Sequence, residues 1–271
     1  MMIFPAYDQA WPTPEQVEIE MAAHGLSIVE IRRDGSAWQV VRPSGYARRL
    51  TANDSVFELT GLASGNPRPV TRGDPGGRRV IGTLNNCAGG VVPWSTVLSA
   101  EENFHGYFTG DPARTSEAAN HARHRISQKL FYRWSLYDAR FDVEDESHEP
   151  NRFGWVIEVD PYDSKAQPKK RIALERFAHE GASTVLNRDG CAAVYPGDDR
   201  SFEYVYRFVS KRPVDPDQAQ RNADILNRDI LSVARFHATG NVSWLPLVWG
   251  EGPPTCSARR HAHGPARGYR D

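Results

Sequence analysis

No stretch of this sequence approaches the ~18 consecutive apolar residues of a membrane-spanning helix, so no span is expected. Cysteine is scarce. Cys87, Cys191 and Cys256 are the three in 271 residues. An odd, sparse set supplies no disulfide framework. Neither charge sign dominates: 33 Lys and Arg stand against 34 Asp and Glu, a formal net charge of -1. That balance lacks the basic footprint of a nucleic-acid binder. The opening MMIFPAYDQAWPTPEQ has no basic leader, long apolar run or small-residue cleavage site, so no secretory signal is read there. The Gly-rich phosphate loop ending in Lys-Ser/Thr is absent, as are the nucleotide fingerprint after a strand and the Gly-x-Ser-x-Gly elbow of serine hydrolases.

Glycine (22) and proline (19) are plentiful, and this favours many short strands over long helices. One helix is legible: Thr13 can cap it, Pro14 suits its first position, Gly25 ends it, and Val17, Ile19, Met21, Ala22 and Leu26 give it an apolar side. The pattern then turns to period two. SIVEIRR, Asp34-Gly35 and WQVVR predict a β-hairpin. Residues 50–80 are expected to be loop with brief strand, leading to a strand at 80–84. Residues 111–150 mix both charge signs with scattered aromatics, and predict a long polar surface excursion with one or two helical turns. His121 and His124 are expected to face solvent within it. Short strands return at GWVIEVDP, KKRIALERF, STVLN, CAAVYPGDD, FEYVYRFVS, LSVARF and VSWLPL, separated by turn residues. Such spacing predicts an all-β sandwich, barrel or propeller. Residues 1–255 are taken as one domain. Residues 256–271, which lose the strand pattern, are taken as an irregular basic tail.

Three groups of residues could carry chemistry. The first is Asn85-Asn86-Cys87-Ala88-Gly89-Gly90, followed by Pro93-Trp94-Ser95 and by Glu101-Glu102 at a strand end. Adjacent carboxylates repel unless solvated or shared with a cation. Oxygen ligands suit calcium, and a thiolate suits a transition metal. The plain alternative is a buried cysteine beside a solvated glutamate pair. The second is His179-Glu180-Gly181, in which Glu180 is the better ligand and His179 reads as a hydrogen-bonded histidine. The third is Gly197-Asp198-Asp199, an oxygen-rich corner or an ordinary turn. Cys191, in the apolar run CAAVY, reads as a small buried hydrophobe.

Taken together, NNCAGGVVPWSTVLSAEENFHGYF, NRFGWVIEVDP, RFAHEGAS, VYPGDD and EYVYRFVS resemble the PhoX family of bacterial alkaline phosphatases, in the family's order and over roughly residues 10 to 250. The resemblance implies a β-propeller holding calcium and ferric iron, and hydrolysis of small phosphomonoesters. It implies Cys87 as an iron ligand, and Glu102 (in preference to Glu101) and Glu180 as metal ligands. Asp198 and Asp199 complete the candidate set, with no catalytic residue assigned. It also implies a periplasmic or secreted monomer without a nucleic-acid partner. The chain departs from the family's pattern: Val92-Pro93-Trp94-Ser95-Thr96 replaces Thr-Pro-Trp-Gly-Thr, Ala100 replaces a Cys, and the later Arg-Pro-Glu-Asp motif is missing. The expectation is therefore an incomplete propeller with compromised activity. A non-catalytic calcium-binding propeller and a calcium-dependent lactonase-like hydrolase are the alternatives. A lactonase-like calcium site has no use for the soft sulfur of Cys87, so iron bound through it would count against that alternative.

Overall fold

A computed structural model describes residue 8 and residues 10–248. The expected tail at 256–271, and Cys256 within it, lie outside the described residues. Helix α1 (Pro14–Ala23) starts where the sequence places it. The Thr13 side chain accepts from the Gln16 amide, and the Gln16 side chain accepts from the Thr13 amide, a reciprocal cap. Gly25 follows at φ 99°, where any Cβ would lie 1.9 Å from the Leu50 carbonyl oxygen. Val17 and Met21 are buried as expected, but Ile19 is exposed and Glu20 is buried instead. Glu20 is held inside because its carboxylate accepts the Trp134 indole N–H at 3.1 Å.

The strands that follow are short. β1 (Leu26–Ile28), β2 (Ile31–Asp34), β3 (Ala37–Val40) and β4 (Arg48–Leu50) form two ribbons, β1 with β4 and β2 with β3. The predicted hairpin is therefore present, turning over Gly35-Ser36. β5 (Val56–Thr60), β6 (Arg79–Ile81), β7 (Asn86–Val91) and β8 (Val97–Glu101) precede helix α2 (Ala118–Arg123). β9 (Val156–Val159) and β10 (Lys169–Arg171) come next. Then follow β11 (His179–Leu186), β12 (Cys191–Asp198), β13 (Tyr206–Pro213), β14 (Leu231–Phe236) and β15 (Val242–Pro246). Six of these form a sheet in the order β6-β5-β10-β9-β8-β7, antiparallel except for β5 beside β10. The other five form an antiparallel meander from β11 to β15. The fold is mostly β, as expected, and β11 lies against β7 and β8, joining the two sheets.

Residues 111–150 correct the sequence reading. Ile126, Trp134, Phe141 and Val143 are buried and help to build one of two hydrophobic cores. Trp134 sits among His24, Tyr107, Tyr132 and Phe141, with ring centroids 4.9–5.1 Å away. The segment is wound from single 3-10 turns and one short helix. Its apolar anchors therefore recur at no fixed period, and the absence of a pattern looked like the absence of a core.

His121 and His124, expected in solvent, are buried too. Both ring nitrogens of His124 lack a hydrogen-bond partner among the described residues. Burial first, then the nearby Arg176 and Arg200 guanidinium groups, hold its pKa well below 6.5. The folded state resists protonating this ring while the unfolded chain accepts a proton near pH 6.5, so stability falls as pH drops below that value. His124→Leu is expected to flatten this fall between pH 6.5 and 5. Melting temperatures across that range test it, and parallel curves for the two proteins would remove His124 as a cause.

Candidate metal centre

The two adjacent glutamates part at the end of β8 because successive strand residues face opposite ways. Glu101 turns into the core and is fully buried, as is Lys170 from β10. Its Oε1 accepts Lys170 Nζ at 2.8 Å, Thr83 Oγ1 at 2.9 Å and the Leu84 amide at 3.0 Å. Its Oε2 accepts the Gly154 and Trp155 amides at 3.0 and 3.1 Å. Five donors leave this carboxylate no free lone pair for an ion, which sets Glu101 apart from the expected ligands. Burial pulls the Lys170 ammonium down to about 8, with Glu101 opposing.

Glu102 turns the other way, half-buried, and Asn103 Nδ2 donates to its Oε1 at 2.7 Å. The charge of Glu102 acts on the Cys87 thiol. The charge of Asp199 acts on Glu102 as well. Desolvation first, then its contact with Asp199, raises the Glu102 pKa. Burial, and then the negative charge of Glu102, pushes the Cys87 thiol up. A thiol and two carboxyl groups are thus within electrostatic reach of one another.

Local backbone form explains how Cys87 arrives there. Asn85 sits at φ 47°, a conformation asparagine tolerates. Its carbonyl accepts the Glu102 amide at 3.1 Å, and its side-chain oxygen accepts the Asn103 amide at 3.0 Å. The β7–β8 register then shifts between Asn86 and Gly89, a bulge that contains Cys87 and Ala88. Bulges re-aim side chains in this way.

Glu180 and Asp199 enter from the second sheet. Gly181 lies beside Ala88, a Cβ built there meeting the Ala88 Cβ at 3.8 Å, so the start of β11 abuts the bulge. Glu180 is exposed, and its charge acts on Cys87. Asp199 is held at the end of β12 by its amide, which donates to the Ala178 carbonyl at 3.0 Å. Asp198 differs from its neighbour. One of its oxygens accepts the Arg200 amide at 3.3 Å, and the other is buried without a partner among the described residues. Burial pushes its carboxyl up to about 6, with Arg200 opposing. Cys191 is buried, as expected of a small hydrophobe. His179 is buried too, its Nε2 2.8 Å from the Glu175 carbonyl, the hydrogen-bonded role expected of it.

Sequence reasoning missed the basic flank. Arg200 donates to the carbonyls of Arg123 and His124 at 2.8 and 3.0 Å, docking the end of α2 on the end of β12. His105, three residues after Glu102, is pushed down to about 4 by burial first and then by the charges of Arg200, Arg125 and Lys129. These groups come from three separated segments and share no motif; the only signal was the number of arginines in a stretch read as solvated.

The family model for PhoX alkaline phosphatases matches residues 2–267. The chain belongs to the PhoX family. Among solved structures, Pseudomonas fluorescens PhoX in complex with vanadate, a transition-state analogue, is similar to it with a TM-score of 0.82 and 38% identity. That match covers 88% of this chain and 42% of that one, so this chain spans less than half the length of the PhoX structure it matches. Comparison with curated proteins gives no match.

The donor chemistry around Glu102 is consistent with metal. One soft sulfur and several hard carboxylates meet, with like charges raising two of them. Among the described residues, however, no three His, Cys, Asp or Glu side chains form a closed ligand group as they stand.

Proposed function

We propose that this chain forms part of a PhoX-type phosphatase that hydrolyses phosphomonoesters at the meeting point of Cys87, Glu102, Asp199 and Glu180, with calcium and ferric iron as its metals. The observation that carries the reading is the approach of a thiol and two carboxyl groups from two sheets, close enough for their charges to act on one another. Cys87 would hold iron, and Glu102, Glu180 and Asp199 would hold the harder ion. Glu101 and Asp198 leave the ligand set, the first saturated and the second turned toward Arg200. When bound, such ions supply the positive field that a transferring phosphoryl group requires.

The chain's own residues do the rest. Asn103 orients Glu102 through its side-chain amide. Arg200, Arg125 and Lys129 make a cationic flank that draws a phosphate dianion toward the acidic cluster. The antiparallel meander from β11 to β15 has the up-and-down order of a propeller blade, and the reading takes it as one blade of a propeller. The six-stranded sheet departs from that order where β5 runs parallel to β10. An exported monomer acting on small phosphorylated substrates, without a nucleic-acid partner, completes the proposal. No described helix is long and apolar enough to cross a membrane.

Cys87→Ser is expected to remove most of the iron while calcium is retained, because the hydroxyl is a hard and weakly acidic donor. Elemental analysis of both proteins, with hydrolysis of p-nitrophenyl phosphate on the same samples, tests this. Iron and turnover in the wild type, lost together in the variant, support the reading. Calcium without iron in the wild type favours the calcium-only propeller instead, and equal iron in both proteins removes Cys87 from the site.

A further inference from the structure

Lys170 touches none of the groups at the candidate centre, yet it is among the largest side chains buried completely in the molecule. Its ammonium lies 2.8 Å from Glu101 Oε1 and 3.1 Å from the Arg152 carbonyl. It also sits over the Phe153 ring, 4.0 Å from the centroid. Glu101 in turn binds both sides of the centre. One oxygen holds Thr83 and the Leu84 amide, at the mouth of the turn that leads to Cys87, and the other holds the amides of Gly154 and Trp155. Asn86 pairs directly with Glu101 across the β7–β8 ladder, and Glu102 is the next residue. A salt bridge between two wholly buried side chains is not needed for stability, since apolar residues of like volume often serve as well. A charged pair at this spot therefore calls for another role.

We propose that Lys170 is a positioning residue: through Glu101 it locks the Thr83–Asn86 turn onto β8 and so fixes the thiol of Cys87 against the carboxylate of Glu102. A neutral residue at 101 cannot do the same. An amide oxygen accepts only on its own side, and its NH2 would face either the Leu84 amide or the Gly154 and Trp155 amides, donor against donor. Without Lys170, the Glu101 carboxylate is buried and uncompensated, and relaxes by pulling toward water and opening the turn.

The inference rests on Cys87 and Glu102 being the centre of the proposed function, but its test needs neither metal nor turnover. The full chain, stripped of metal by chelation, is alkylated with iodoacetamide, and the rate at Cys87 is followed by peptide mass spectrometry with Cys191 read in the same sample. Lys170→Met is expected to speed Cys87 alkylation by about tenfold, the order by which losing one charge-assisted hydrogen bond shifts a local opening, while Cys191 keeps its rate. Glu101→Gln carries the same expectation and serves if Lys170→Met does not fold. An unchanged Cys87 rate in either folded variant overturns the proposal. So does an equal acceleration at Cys87 and Cys191, the mark of general loosening. In the unmutated chain, the Leu84, Gly154 and Trp155 amides are expected to exchange together among the slowest class, and rapid exchange at Leu84 overturns the proposal without any variant.

Discussion

Arg171→Met should lower the stability of this protein by about 3–5 kcal/mol, the cost of removing one member of a buried ion pair. Arg171 is 1% exposed and spends its guanidinium on four acceptors. Nε donates to Glu158 Oε2 at 2.6 Å, Nη1 to Thr60 Oγ1 at 3.2 Å and Asn227 Oδ1 at 2.5 Å, and Nη2 to the Ala223 carbonyl at 2.9 Å. Glu158 lies in β9, and its other oxygen accepts the Trp94 indole at 2.9 Å and the Thr96 hydroxyl. Methionine fills much of the volume and supplies no donor. Glu158 would be left in the interior without its cation, and Asn227 Oδ1 would lose its donor, while the Ala223 carbonyl keeps Lys169 Nζ at 3.3 Å. Arg171→Lys should recover only part of the loss, because an ammonium cannot reach acceptors spread over a planar fork. Urea denaturation of the three proteins measures this, and a loss below about 1 kcal/mol for Arg171→Met would show that water takes over the vacated bonds. The double variant Arg171→Met with Glu158→Gln should be more stable than Arg171→Met alone, since no uncompensated charge remains.

Gly89→Ala should act at the upper end of the ~1–3 kcal/mol that overpacking costs, or beyond it, and should disperse the candidate centre as well. A Cβ at residue 89 would lie 1.8 Å from the Leu98 carbonyl oxygen and 2.9 Å from the Ser99 Cα, both backbone atoms of the paired strand. No side chain can swing away to make room. The strand would separate from β8 just where the bulge aims Cys87. Gly90→Ala is the internal control, since its Cβ would lie 3.1 Å from the Ala182 carbonyl, a contact that a small shift relieves. Denaturation midpoints should fall far more for Gly89→Ala than for Gly90→Ala, and metal content should follow the same order. Similar midpoints for the two variants would mean that β7 can retreat from β8 at no great cost.

The Gly pair of the Asn-Cys-Ala-Gly-Gly motif thus divides into one position that space forbids to any side chain and one with room for a small shift. Nothing in the sequence distinguishes the two glycines. The same holds for Glu101-Glu102 and Asp198-Asp199. Each pair was legible as a candidate ligand corner, but which member faces the centre depends on strand phase and on the partners waiting on the other side. For Glu101 those partners are Lys170, Leu84 and Gly154, far apart in the chain. The basic flank of Arg200, Arg125 and Lys129 escaped the sequence for a related reason: two cations just after α2 and one at the end of β12 become one field only after α2 docks on β12.

Elements whose cause is local were legible in the chain. Thr13, Pro14 and Gln16 set the start of α1, Asp34 to Ser36 turn the hairpin, and the apolar runs separated by turn residues lay out β11 to β15. The ordered motifs sufficed for the PhoX family. Long-range packing settled the rest: that residues 111–150 supply Ile126, Trp134, Phe141 and Val143 to a core, that His121 and His124 are buried, and that Glu101 pairs with Lys170 while Glu102 faces Cys87. Burial and pairing depend on residues distant in the chain, and a segment without a period of its own carries no local sign of what will cover it.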